Sequence, residues 1–173
     1  MMDENSECIL VGGIELHTAY TGFGRGKLTD NERDNPGLGY TIAYHGGDKG
    51  EATVFVYTNG EHDIPDGPIS AMVIAEFNRT TREIISFRQT GGTRMELVSR
   101  YGTGSPDRGE EFLCAEFILT DAQGARRTFV YVTGYAKHFL KIRVTLRTNE
   151  ATDRTARTFA DAVARRLWWK GVN

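Results

Sequence analysis

Several features that identify classes of protein are scarce in this sequence. Its 173 residues include two cysteines and four prolines, and no run approaches the roughly 18 apolar residues of a membrane-spanning helix. Neither Cys8 nor Cys114 belongs to a CxxC or Cys/His ligand spacing, which argues against a disulfide scaffold or a cysteine-based zinc site. Two isolated thiols are expected, with a single bridge between them left open. The composition predicts one soluble domain whose core needs neither metal nor disulfide.

An excess of charge of one sign is also missing, although the charge is unevenly distributed. The formal net charge is −2, yet residues 1–68 carry twelve acids and four bases, whereas residues 69–173 carry eleven acids and seventeen bases. The acidity of the whole chain disfavours a nucleic-acid-binding domain. A basic surface is expected on the C-terminal part of the domain, either as solvated charge or as part of a partner surface.

The start of the chain does not resemble a secretion signal. Residues 1–5, MMDEN, are acidic and contain no basic segment followed by an apolar run. As the chain stands, this pattern predicts a soluble cytoplasmic protein. An exported, periplasmic protein whose leader has been removed is the alternative, and the oligomeric state is left open.

Glycines, 20 in all, separate patterned segments in the first half of the chain. Residues 7–17 are interpreted as a weak first strand and residues 18–35 as a polar, Gly-rich loop. Tyr, Val, Ile and Thr are frequent in residues 38–45 and 51–58, which a glycine-containing turn joins into a hairpin. A break at residues 59–68 follows and ends in a proline, which is typical of a first helical turn.

Two amphipathic helices and four further strands complete the predicted elements. Apolar residues at spacings of three and four predict a helix from Ile69 to about Phe87, capped by Asp66 or Gly67. A second helix is expected from an Asn149 cap to about Trp169. The strands between the helices are residues 93–101, 110–120, 125–133 and 139–147, with a loop at 102–109.

This order of elements predicts an α+β fold. Short turns between the last four strands imply antiparallel neighbours, so the sheet is expected to be mostly antiparallel, with about six to seven strands. The two helices would flank it in a single-domain sandwich, in the order strands, helix, four strands, helix. Residues 1–36 would supply an N-terminal strand and Gly-rich loop of the same domain, and residues 37–173 would form the α+β core.

Five segments carry a resemblance to a known family: TVFVYTNG (53–60), DIPDGP (63–68), FLCAEFIL (112–119), RTFVYVTGYAKHFLKIRVTL (127–146) and FADAVARRLW (159–168). With these segments the chain resembles an uncharacterised bacterial protein family whose fold is similar to the PsbP-like or DcrB-like α/β/α sandwich. The resemblance covers roughly residues 37–169. Because related DcrB-like domains include chaperone-like modules and PsbP-like domains bind a membrane assembly, the resemblance implies protein binding more readily than catalysis.

Candidates for catalysis are few. His62 and Asp63, together with the loop at 102–109, could belong to a small hydrolase, which is the alternative to a binding protein. The four histidines are not expected to share a metal, and no metal site or cofactor is predicted. Cys114 lies in an apolar strand, where a thiol is expected to be core rather than a nucleophile.

Binding candidates are concentrated in the basic C-terminal elements. The last strand alternates apolar and polar residues, so its polar face is predicted to be exposed to solvent. The leading hypothesis is a non-enzymatic binding or chaperone-like module that engages another protein, and the second alternative is a weak binder of nucleic acid or an anionic surface. The candidate binding residues are Arg143, Arg147, Arg157, Arg165, Trp168 and Trp169.

Overall fold

A large antiparallel sheet forms the centre of the molecule, with one helix on each face. The computed structural model describes residues 7–87, 92–105, 109–147 and 153–168. In chain order the elements are β1 (Cys8–Val11), β2 (Ile14–His17), β3 (Ala19–Tyr20), β4 (Phe23–Asp30), β5 (Tyr40–His45), β6 (Gly50–Tyr57), α1 (Ala71–Phe87), β7 (Arg94–Ser105), β8 (Gly109–Asp121), β9 (Gly124–Tyr135), β10 (His138–Leu146) and α2 (Asp153–Trp168).

Eight strands pair in the order β3-β4-β5-β6-β10-β9-β8-β7, and β1 and β2 form a separate hairpin. All the neighbouring strands are antiparallel. The pairing of β6 with β10 joins the first part of the chain to the last and sets Lys141 opposite Phe55. Because side chains alternate along a strand, Leu140, Ile142, Val144 and Leu146 of β10 point to one face of the sheet, and Phe139, Lys141 and Arg143 point to the other.

The face that carries Leu140, Ile142, Val144 and Leu146 of β10 is covered by α2. Phe159 of α2 lies at the centre of an aromatic cluster, with ring centroids 5.6 Å from Tyr20, 5.0 Å from Phe23 and 5.5 Å from Tyr44. The β1–β2 hairpin adds Val11, Ile14 and Leu16 to the same core. This side of the sheet is therefore closed by a helix and a hairpin together.

Helix α1 covers only part of the opposite face. Its buried residues Val73 and Phe77 belong to a core with residues of β7, β8 and β9, and these are the strands that α1 mainly contacts. The α1 side of β5, β6 and β10 is less covered, and Phe55 and Lys141 are only half-buried there. Within the described residues, neither helix combines the length and apolar character needed to cross a membrane.

The α+β class, the antiparallel sheet and the two flanking helices are confirmed, but the predicted number of strands is too low. The described residues contain ten strands rather than six or seven. Residues 7–17 form two strands, because Gly12 and Gly13 make a tight turn with φ of 59° and 81°. The expected loop at 18–35 contains β3 and β4. The expected loop at 102–109 is mostly strand, because β7 continues to Ser105 and β8 begins at Gly109.

The start of α1 also differs from the prediction. The helix begins at Ala71, and Ser70 caps it, because its Oγ accepts a hydrogen bond from the Val73 N–H at 3.2 Å. Neither Asp66 nor Gly67 is the cap. The two are held by the turn region of β9 instead: Gly67 pairs with Gly134, and Asp66 Oδ1 accepts from the Ala136 N–H at 2.9 Å. The expected cap of α2, Asn149, lies outside the described residues.

Candidate functional site

A groove lies beside α1 where the helix leaves the sheet uncovered. We call it the α1 groove, and its volume is about 510 Å³. Its floor comes from β6 and β10, and its wall comes from the C-terminal half of α1. The lining residues are Phe55, Thr80, Glu83, Ile84, Ser86, Lys141 and Arg143.

Lys141 is the central charge on the floor of the α1 groove. Its Nζ lies 4.6 Å from the centroid of the Phe55 ring and 5.1 Å from that of Tyr57, within the range of cation–π contacts. No carboxylate oxygen of the residues that the structure describes lies within 4.0 Å of this nitrogen. Burial lowers the pKa of Lys141, because removal from water disfavours the charged form.

The helical wall is fixed to the sheet by a buried carboxylate. Glu76 of α1 accepts hydrogen bonds from the Tyr57 hydroxyl at 2.5 Å, from Asn59 Nδ2 at 3.2 Å and from Arg79 Nε at 2.9 Å. Burial, and then the Glu76 charge, raise the pKa of Tyr57, so this phenol stays a donor. The network ties α1 to β6 and so sets the width of the groove.

The same network neutralises Glu83, the acidic residue on the helical wall of the groove. Arg79 pairs with Glu76 and also with Glu83, one helical turn further along. The hydrogen bond to Glu76 is the main reason that the pKa of Arg79 is raised. Glu83 therefore has a cation of its own on the helix, while Lys141 faces two aromatic rings. The floor of the groove is a positive site beside an aromatic surface.

The structure divides the predicted basic residues between two faces of the sheet. Arg143 lines the α1 groove, whereas Arg157 and Arg165 lie on α2, across the sheet. Arg157 donates to the Gly104 carbonyl at 3.1 Å and lies 3.7 Å from Asp161, and Arg165 is exposed. Arg147 lies 3.5 Å from Glu51 at the end of β10. These arginines do not form one continuous surface.

Trp168 joins the core at the end of α2. Its ring is half-buried and packs edge-on against Phe112, at 6.0 Å between centroids, and against Tyr135, at 5.0 Å. The Tyr135 hydroxyl also donates to the Leu167 carbonyl at 2.9 Å. These contacts give Trp168 a structural role. Trp169 lies outside the described residues.

His62 and Asp63, the candidates for catalysis, are exposed in the segment between β6 and α1. Asp63 Oδ1 lies 3.6 Å from Lys137 Nζ, and neither residue lines the α1 groove. No group of three potential metal ligands occurs in the part of the chain that the structure describes. Cys8 and Cys114 are not joined by a disulfide bond: Cys8 is exposed, and Cys114 is buried, as its sequence context predicts.

The sequence does not predict most of the residues that line the α1 groove. Arg143 was a binding candidate, but Phe55, Glu83, Ile84 and Lys141 were not. The alternation of β10 places Lys141 on the same face as Arg143, and this pattern is enough to make Lys141 a binding candidate as well. The missing information is the pairing of β6 with β10 and the position of α1 over only part of the sheet.

Comparison with known proteins supports the fold alone. No protein-family model and no curated protein matches the sequence. Among solved structures, the chain is similar to the solution structure of cyanobacterial PsbP (CyanoP) from Synechocystis sp. PCC 6803, with a TM-score of 0.53 and 11% sequence identity. The similarity covers 87% of this chain and 83% of that one. The protein therefore has a PsbP-like α+β fold.

Proposed function

We propose that the protein is a non-enzymatic module that binds another protein through the α1 groove. The observation that carries the proposal is the incomplete cover of the sheet beside α1, which leaves Phe55 and Lys141 at the floor of an open groove of about 510 Å³. Clefts of this size, in which apolar side chains lie beside a few placed polar groups, are typical of small-ligand sites and are large enough for one or two side chains of a protein partner. A PsbP-like fold is compatible with this role.

The chemistry of the groove supports binding rather than catalysis. Among the described residues that line it, the hydroxyls belong to Thr80 and Ser86, and none is a histidine or cysteine. A nucleophile that acts without a neighbouring base is weakly reactive. The hydrolase alternative at His62 and Asp63 has no supporting geometry, because the two side chains are exposed outside the groove.

The proposal is tested by filling the groove without disturbing the core. Ser86 is exposed and lines the groove, so Ser86→Trp places a large side chain in it. Ala75→Trp is the matched control, because Ala75 is exposed on the same helix and lies roughly 16 Å away along the helix axis. The wild type and both variants are used as baits in extracts of the source cells, and any retained protein is identified by mass spectrometry.

The identified partner is then purified and titrated against all three proteins by calorimetry. We expect saturable binding to the wild type and to Ala75→Trp, and at least tenfold weaker binding to Ser86→Trp. Equal binding to Ser86→Trp would place the interaction elsewhere on the molecule. The absence of saturable binding to the wild type would overturn the proposal itself.

A further inference from the structure

We infer that the segment bound in the α1 groove presents a carboxylate to Lys141 and an apolar side chain to Phe55 and Ile84. The inference rests on the proposed function and specifies the partner: an extended, acidic and apolar peptide segment of another protein. It is carried by the placement of one positive charge and one apolar surface next to each other in the same groove.

The positive charge is incompletely compensated. Lys141 is half-buried, and its nearest described partners are the rings of Phe55 and Tyr57 rather than a carboxylate. Burial removes water from the ammonium group, and a charge-assisted hydrogen bond that Lys141 donates to a ligand carboxylate would replace the lost hydration. A carboxylate placed in the groove would therefore gain more from Lys141 than it would from an exposed lysine.

The acidic residues near the groove are already engaged. Glu83 lines the groove but pairs with Arg79, and Glu76 is buried beneath the helix with Tyr57 and Arg79. Arg143, two residues after Lys141 on the same face of β10, also lines the floor. The charge of the groove thus complements an anionic group.

The apolar surface lies beside this charge. Phe55 is the cross-strand neighbour of Lys141, and Ile84 faces the groove from α1. Both residues are partly buried and pack at the margin of the core under α1. An apolar side chain of the ligand would cover them and extend that core.

The spacing in the ligand follows from the closeness of the two subsites, since Lys141 Nζ lies 4.6 Å from the centroid of the Phe55 ring. In an extended chain, residues i and i+2 project from the same side and lie roughly 7 Å apart. An acid and an aromatic residue separated by one residue would therefore place a carboxylate at Lys141 and an aromatic ring against Phe55. Since chain direction is open, the segment would contain Glu-x-Phe or Phe-x-Glu, or an equivalent acidic and apolar pair.

The test uses blocked peptides and the full-length protein. The probes are Ac-Gly-Glu-Ala-Phe-Gly-NH₂ and Ac-Gly-Phe-Ala-Glu-Gly-NH₂, each with a counterpart in which Gln replaces Glu. They are titrated into ¹⁵N-labelled protein, and binding is followed by amide chemical shifts. We expect saturable shifts at the α1 groove with at least one Glu peptide, and about tenfold weaker binding of its Gln counterpart.

Variants assign the effect to one side chain. Lys141→Gln should weaken the Glu peptide about tenfold and leave the Gln peptide unchanged, whereas Lys141→Arg should retain most of the affinity. Lys137→Gln is the matched control, because Lys137 is an exposed lysine outside the groove. Circular dichroism and the dispersion of the amide signals establish that each variant is folded.

Three results with the blocked peptides would overturn the inference. They are equal affinity for Glu and Gln peptides, full affinity in Lys141→Gln, and the absence of saturable groove shifts with any blocked peptide. Tighter binding of free 3-phenylpropionate than of either blocked Glu peptide would also overturn it, because the site would then select a small acid. The proposed function is tested separately, by whether Ser86→Trp loses binding to the purified protein partner.

Discussion

The phenolic hydroxyl of Tyr57 lies 2.5 Å from Oε1 of Glu76 and donates a hydrogen bond to it. This bond connects β6 to α1 beneath the helix, and Arg79, Asn59 and Thr80 also donate to the same carboxylate. The contact matters for the α1 groove because it fixes the distance between the helical wall and the floor that carries Phe55 and Lys141. A buried carboxylate is thus used here to position a helix.

Removing the Tyr57 hydroxyl should destabilise the protein. Tyr57→Phe deprives a buried carboxylate of one donor, and we expect the free energy of unfolding to fall by about 1–2 kcal/mol. The measurement is urea denaturation followed by circular dichroism. Tyr40→Phe is the control, because Tyr40 is half-buried and its hydroxyl bonds to none of the described residues. A loss in Tyr40→Phe as large as that in Tyr57→Phe would contradict the role given to Glu76.

A close approach at Gly134 should make that position intolerant of any side chain. A Cβ there would lie 1.9 Å from the Pro65 carbonyl oxygen, in the segment that leads into α1. Relief of this clash requires movement of backbone, so we expect Gly134→Ala to cost more than about 2 kcal/mol of stability. Gly24→Ala should change stability by less than about 0.5 kcal/mol, because a Cβ at Gly24 meets nothing within 4 Å. Equal thermal unfolding temperatures for the two variants would contradict this prediction.

The effect of Lys141 on the free energy of unfolding should depend on pH. Burial lowers the pKa of Lys141 below its ordinary value of 10.5. At pH values between the lowered pKa of the folded protein and 10.5, the unfolded chain therefore binds more protons than the folded chain. Stability therefore rises with pH across that window, and below it the buried charge has its full cost. The charged groups that influence Lys141 from α1 and β10 are Glu76, Arg79, Glu83 and Arg143.

Replacement of Lys141 by methionine removes this titration. The stability advantage of Lys141→Met over the wild type should be largest at pH values below the lowered pKa of Lys141 and should fall progressively as the pH rises toward 10.5. Urea denaturation at several pH values gives the difference directly, and Lys137→Met provides an exposed reference. A difference between wild type and Lys141→Met that does not vary with pH would contradict the burial of the charge.

The two thiols should differ sharply in reactivity. Cys8 is exposed, whereas Cys114 is buried and burial raises the pKa of its thiol to about 12. Because the thiolate is the reactive form, an aromatic disulfide reagent should modify one equivalent of thiol rapidly in the folded protein. The second equivalent should react only at the rate of unfolding. Cys8→Ser should abolish the rapid phase, and its persistence would show that Cys114 is accessible.

Local patterns in the sequence predicted much of the fold. The alternation of β10 and the amphipathic spacing in α1 and α2 specified which faces are buried, and the structure confirms the antiparallel sheet between two helices. The glycine-rich segment before β5 was predicted as a loop because glycine is rare in strands. Pairing of β4 with β5 provides the backbone hydrogen bonds that outweigh this preference.

The sequence by itself determined the periodic elements, the buried position of Cys114 and the polar face that carries Lys141 and Arg143, because each depends on neighbours along the chain. Only the tertiary structure decided that β6 lies beside β10, that α1 covers part of a face, and that the arginines of β10 and α2 lie on opposite sides of the sheet. These relationships join residues far apart in the chain. The α1 groove exists for that reason, since it lies between two strands and a helix whose contacts no local pattern records.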